Sequence, residues 1–142
     1  MVKPILKGVR VNEIDFVNKL ANGEKIELEH RYSYSVRYAP DNHCLGEFKA
    51  NVSNKNNPEK FHLNVTMAGQ FAFDKDATKE QLHLDTYDAL FPYVRAYISN
   101  ITAVGGIPPI IAPYIDISNQ TIYRVDIPKK NEIIIDESEL DD

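Results

Sequence analysis

At 142 residues, 43% hydrophobic and 26% charged, with a formal net charge of −5, the chain has the make-up of one water-soluble globular domain. The acidic balance excludes a nucleic-acid binder, which needs a basic face. No apolar run approaches the roughly 18–20 residues that cross a bilayer, so membrane insertion is not expected. Met1 to Leu6 lacks the apolar stretch of a signal peptide, and the single cysteine, Cys44, allows neither a disulfide framework nor a thiolate metal site. A cytosolic location is the expectation.

In chain order, the first element is a strand from about Gly8 to Val17. Its alternation changes phase between Val11 and Ile14, which predicts a bulge near Glu13. The loop Asn18 to Glu24, with Asn22-Gly23, is long enough for either a hairpin or a crossover. Next, Ile26, Leu28, Tyr32, Tyr34, Val36 and Tyr38 alternate with polar residues. Cys44, Phe48, Ala50 and Val52 then do the same, and so do Phe61, Leu63, Val65, Met67, Phe71 and Phe73. Successive side chains on a strand point to opposite faces, so each segment is a strand with one wet face, the signature of an antiparallel sheet. Ala39-Pro40-Asp41-Asn42 and Asn54 to Pro58 are turn-rich links of hairpin length.

The pattern then becomes helical. Thr78 and Gln81 have capping-box spacing, and a helical period runs through Leu90, Val94, Ile98 and Ile101. Pro92 removes a backbone donor inside this stretch and predicts a kink or a break into two pieces. Ala89, Ala96 and Ala103 recur every seven residues, a small-residue stripe on which another helix could pack closely. Gly105-Gly106 ends the helix, and Pro108-Pro109 prevents its resumption. Ile107 to Ile117 reads as an apolar, proline-broken extended segment packed on something. Ser118 to Arg124 reads as a short helix of weak formers. Asn131 to Asp142 carries six carboxylates and no base. The chain is therefore divided into a domain over 1–128 and a disordered acidic tail over 129–142, with Ile133-Ile134-Ile135 as the tail's one apolar patch.

The expected fold is thus α+β: a four-stranded antiparallel meander, one long helix and a short C-terminal helix. Four strands about 4.8 Å apart make a sheet about 15–20 Å wide, whereas a helix is about 10–12 Å across. One helix leaves part of the apolar face uncovered, and such strips mark oligomer interfaces or binding surfaces.

Candidate catalytic groups are sparse. His30, His43, His62 and His83 lack metal-ligand spacing, so no metal and no other cofactor is expected. His30 falls on the apolar face of its strand and His62 on the wet one. Asp85 and Asp88 share a helix face near its start, where the helix dipole accounts for them. Cys44 points inward as a small core residue. Arg95 is placed to pair with Asp88 or with a neighbouring subunit, or equally to lie on a solvated helix face, and Tyr32, Tyr34 and Tyr38 belong to a core or interface. The chain is therefore expected not to be an enzyme. A small-ligand carrier or an oligomeric adaptor on an antiparallel sheet remains open, but a carrier needs convergent polar groups in a pocket and the sequence supplies none.

The run Leu90-Phe91-Pro92-Tyr93-Val94-Arg95-Ala96-Tyr97-Ile98, followed by Gly105-Gly106-Ile107-Pro108-Pro109 and Ala112-Pro113, resembles the hallmark of SecB-type protein-export chaperones. The preceding strand, with Gly69 before Phe71, fits the same order. The resemblance implies an ATP-independent holdase that assembles as a dimer of dimers with its long helices packed between dimers. Its clients would be unfolded polypeptides, either preproteins for export or an antitoxin. By the same resemblance the client groove takes in Ile26, Leu28, Ile122 and Tyr123, and Ala89, Ala96 and Ala103 fall at the oligomer interface. Docking on the translocation ATPase SecA would use carboxylates on the first and last strands. Glu13 keeps one, whereas Val17 and Asn64 stand where others are expected, so SecA binding is expected to be weak.

Overall fold

The computed structural model describes residues 3–117 and, as backbone, residues 125–134. The alternating segments become β1 (Ile5–Asn18), β2 (Lys25–Ala39), β3 (His43–Asn54) and β4 (Phe61–Ala72), followed by the helix α1 (Lys79–Val104) and a further strand, β5 (Val125–Ile134). The sheet order is β1-β4-β3-β2-β5, and every neighbouring pair is antiparallel.

Only β2, β3 and β4 form the expected meander. β1 lies beside β4, so the loop after it crosses the end of the sheet to reach β2, a Greek-key arrangement. The crossing is tied down on the way. Lys19 N donates to the Lys60 carbonyl, and Lys60 Nζ sits 2.8 Å from Glu24 Oε2. The Glu24 carboxyl is held below its ordinary range by its hydrogen bonds, that to Lys60 first.

The bulge in β1 is present, one residue from its expected place. Val11 pairs with Met67 and Glu13 with Thr66, leaving Asn12 unopposed; a second irregularity falls between Leu6 and Gly8. Each extra residue rephases the strand. As a result Leu6, Val9, Val11, Ile14 and Phe16 all stand opposite positions of β4 that face α1.

α1 begins at Thr78, whose hydroxyl accepts from Gln81 N at 3.2 Å. The reciprocal half of a capping box is not made, because Gln81 Nε2 donates to Asp85 Oδ1 instead. Pro92 does not divide the helix, which is continuous from Lys79 to Val104. Pro92 and Asp88, the residue whose carbonyl loses its amide partner, are both exposed, so water can take up the freed acceptor. The end is a Schellman motif. Ile107 N donates to the Thr102 carbonyl and Gly106 N to that of Ala103, with Gly106 at φ +88.

β5 corrects the reading of 129–142 as a disordered tail: residues 129–134 continue a ladder in which Lys25 pairs with Ile134 and Tyr34 with Val125. A bare β2 edge would present a row of unpaired donors and acceptors, and that is what recruits the segment. The short helix expected over 118–124, and residues 135–142, lie outside the described residues.

The core lies between α1 and one face of the sheet. Tyr32, Tyr34, Phe48, Tyr87 and Phe91 form a continuous aromatic cluster with ring centroids 5.3–6.3 Å apart. Cys44 is a buried core residue as expected, its thiol pushed up to about 11 by burial. Across β3 and β4, Gly46 and Gly69 are partners in register. Together they make a trough. A Cβ on Gly46 would collide with the Tyr34 hydroxyl, and one on Gly69 would stand 3.1 Å from Leu90 Cδ1. Tyr34 uses the space to donate to Thr86 Oγ1 at 2.5 Å, and Thr86 in turn donates to the Leu82 carbonyl. Gly46→Ala should therefore destabilise the fold by about 2–3 kcal/mol, through overpacking and a displaced hydrogen bond. In a Tyr34→Phe background the same change should cost no more than half as much. Equal penalties in the two backgrounds, read by urea unfolding, would show that the hydroxyl is not what Gly46 accommodates.

Candidate functional site

A single helix cannot cover the apolar face of this sheet, and the extended segment 107–117 completes the cover. It returns antiparallel to α1 on the β2 side, burying Ile107, Ile110, Ala112 and Ile117. An extended segment next to a helix has no ladder to receive its carbonyls, so side chains take their place. Ser99 Oγ donates to the Ile110 carbonyl at 2.8 Å, Arg95 Nε to that of Ala112 at 3.1 Å, Tyr32 OH to that of Pro113 at 2.8 Å and Tyr87 OH to that of Ile115 at 2.9 Å. Thr102 Oγ1 accepts from Ile110 N at 2.9 Å. Burial raises the phenols of Tyr32 and Tyr87 well above their ordinary range, which keeps both as neutral donors. Within the chain Arg95 does not pair with Asp88: it stacks over the Phe91 ring, 5.1 Å from the centroid, and pins this strap. Asp88 instead accepts from Tyr114 OH at 2.6 Å. The outer side of the strap keeps Ile111 and Tyr114 exposed, at 67% and 46%.

A second apolar surface lies on the other flank of α1. Tyr93, Ala96, Tyr97 and Asn100 face Val9 and Val11 of β1 across an open groove floored by Met67. Ala89 is half-buried at one end of this helix face, and Ala96 and Ala103 are exposed along it. The alanine spacing therefore marked a genuinely outward face. The spacing did not flag the neighbouring tyrosines, although Tyr93 and Tyr97 are one helical turn apart on that same face. β1 is also a sheet edge with no strand beyond it among the described elements.

The opposite face of the sheet is polar. Glu13 lies there with Lys49, Arg31 and Thr66 around it, remote from the helix groove. Asn64 is spent on a side-chain hydrogen bond with Asn51, and Val17 stands opposite His62. Asp15, which sequence reasoning passed over, shares the Glu13 face and accepts from His62 Nε2 at 3.0 Å. Ile26 and Leu28 are 4% and 0% exposed and belong to the core cluster, as does the 0% exposed Tyr32. Ile122 and Tyr123 lie outside the described residues. His30 and His83 are buried, and burial lowers the readiness of His83 to protonate. Among the described residues no three His, Cys, Asp or Glu side chains are grouped to hold a metal, and no helix is long and apolar enough to cross a membrane.

A family model for SecB, the preprotein translocase subunit, matches residues 12–129. The chain belongs to the SecB family. It is 32% identical over 117 residues to the protein-export protein SecB of Orientia tsutsugamushi strain Boryong, covering 78% of this chain and 73% of that one. An uncharacterised protein of Methanocaldococcus jannaschii is 29% identical over 130 residues, 85% of this chain and 84% of its own. In fold, the chain is similar to the SecB-like chaperone Rv1957 of Mycobacterium tuberculosis, solved in complex with a ChAD peptide from the HigA1 antitoxin. The TM-score is 0.65 at 15% identity, over 80% of this chain and 88% of that one. The match extends to the four antiparallel strands and the long helix that the SecB-like resemblance implied.

If the strap is held by the tyrosine hydroxyls, the double variant Tyr32→Phe/Tyr87→Phe leaves two inward carbonyls without donors, at about 1–2 kcal/mol each. Hydrogen exchange should then quicken across residues 110–117 far more than in β4. A uniform increase over the whole chain would mean that the phenols stabilise the core alone.

Proposed function

We propose that this SecB-family chain is an ATP-independent holdase that binds unfolded polypeptides and is not an enzyme. The observation that carries the reading is the chain's membership of the SecB family, joined to its large exposed apolar surface: the groove between β1 and α1 and the outer side of the strap. Apolar burial is non-directional and, at roughly 25 cal/mol per Å², tolerates many client sequences. Both preproteins and an antitoxin suit such a surface. The latter is supported by fold likeness to a chaperone bound to an antitoxin peptide.

The two apolar surfaces divide the work. The helix face with Ala89, Ala96 and Ala103, together with the bare β1 edge beside it, serves self-association into a dimer of dimers. The strap side, next to β2, serves the client: Ile26 and Leu28 belong to β2 there, and the SecB-like resemblance assigns Ile122 and Tyr123 to the same groove. Without nucleotide, the protein should suppress aggregation of a reduced, unfolding test protein at near-stoichiometric ratio. Ala96→Arg, at an exposed position, should leave the Tm within about a degree yet split the assembly, since a charge cannot be buried there unpaired. A wild-type monomer by light scattering at ~20 μM would refute the assembly, and a nucleotide-free chaperone assay with no protection would refute the holdase.

SecA is the weaker partner. Glu13 and Asp15 are the carboxylates of β1 on the polar face, and Asp15 is already paired with His62. Lys49 and Arg31, themselves paired with Glu47 and Glu29, share the face with Glu13 and would meet a basic partner surface with repulsion. Calorimetry should give low affinity that fades as salt rises. Submicromolar binding unaffected by 0.5 M salt would sink this part of the reading.

A further inference from the structure

The two edges of the sheet differ in a way that bears on how an extended client can be held. β1 is bulged twice, near Lys7 and at Asn12, and a bulge breaks the even row of donors and acceptors that strand addition needs. β2 has no such interruption. It pairs residue for residue with β3 from Leu28 to Ala39, and with β5 from Lys25 to Tyr34. β2 is therefore the edge suited to accept a strand, and a backbone ladder does not discriminate among side chains.

That edge is occupied by the chain's own β5, and the occupation is narrow. Among the described elements β5 packs against β2 alone, whereas β1 to β4 all touch α1. Pro128 stands mid-ladder opposite Arg31 and contributes no donor there. Lys129 and Lys130 follow it directly. Proline and lysine are the residues that blunt an edge against further pairing.

We propose that β5 is a resident strand that exchanges with client: an extended segment of unfolded polypeptide replaces residues 125–134 along the β2 edge. The proposal rests on the holdase reading above. It gives Ile26 and Leu28 a role compatible with their burial, because their backbones, not their side chains, meet the client where Ile133 and Asn131 stand in the resting chain. A tethered strand competes at an effective concentration of about a millimolar, so it keeps the edge covered until a client with better pairing displaces it.

Hydrogen exchange on the full chain tests this directly, with permanently unfolded, carboxymethylated α-lactalbumin as the probe client. In the free protein, the amides of 25–34 and those of 125–134 that point to β2 are protected. At saturation with the probe, 125–134 should exchange at least ten-fold faster while 25–34 stays protected. Protection of 125–134 that persists in the complex, or that is missing in the free protein, overturns the exchange. A second arm joins the register partners Glu29→Cys and Lys130→Cys with a short cleavable bis-maleimide, which tolerates either pairing geometry of an antiparallel ladder. Native Cys44 is buried and spared. The linked protein should lose holding at least ten-fold and regain it on cleavage. Equal holding before and after cleavage overturns the exchange alone. Failure to hold even after cleavage overturns the holdase reading and the exchange with it.

Discussion

A buried extended segment has nowhere to send its carbonyls, and most of this structure follows from how that need is met. The strap on the β2 side lies beside a helix and over a sheet whose own ladders are complete. Its acceptors are met by Ser99, Arg95, Tyr32 and Tyr87. Each of these side chains would otherwise be an odd choice. Arg95 and Ser99 lie beside the buried Val94 and Ile98 stripe, and Tyr32 and Tyr87 place hydroxyls inside an aromatic core. Leaving several buried carbonyls unpaired would cost of the order of several kcal/mol, comparable with the whole stability of a small domain.

With the strap in place beside it, the helix packs mainly on β3 and β4, and its outer face is left to other uses. The bulges in β1 serve the same arrangement. They turn five apolar residues of an edge strand to the helix side while spoiling that edge as a template for indiscriminate pairing. One flank of α1 thus becomes a groove of tyrosine, valine and alanine, and the other is sealed by the strap. The sheet's far face stays polar, with short-range pairs such as Asp15 to His62 and Lys49 to Glu47.

For a holdase this division has a physical logic. Binding many partners requires apolar area without a fixed pattern of polar groups, and the hydrogen bonds of Tyr32, Tyr87, Arg95 and Ser99 to the strap are turned away from its outer side. Backbone pairing is the one directional interaction common to every unfolded polypeptide. The molecule's two edges are treated differently, one bulged and one regular.

Alternation alone determined the first four strands, their wet and buried faces, the inward Cys44 and His30, and the phase change in β1, because side chains on a strand have a period of two. The capping threonine, the glycine stop and the outward alanine stripe were equally legible, being set within one or two helical turns. The run from Leu90 to Ile98 and the glycine-proline stop after it carried the family. What only the tertiary structure decided are relations between residues far apart in the chain: β1 beside β4, Arg95 on the Ala112 carbonyl, Gly46 making room for Tyr34, and β5 on the β2 edge. Local periodicity holds no record of which strand is the neighbour or which carbonyl lacks a donor. Pro92 shows the same limit from the other side. Its effect on the helix depended on whether the freed carbonyl faced water, and that is settled by packing, not by the proline.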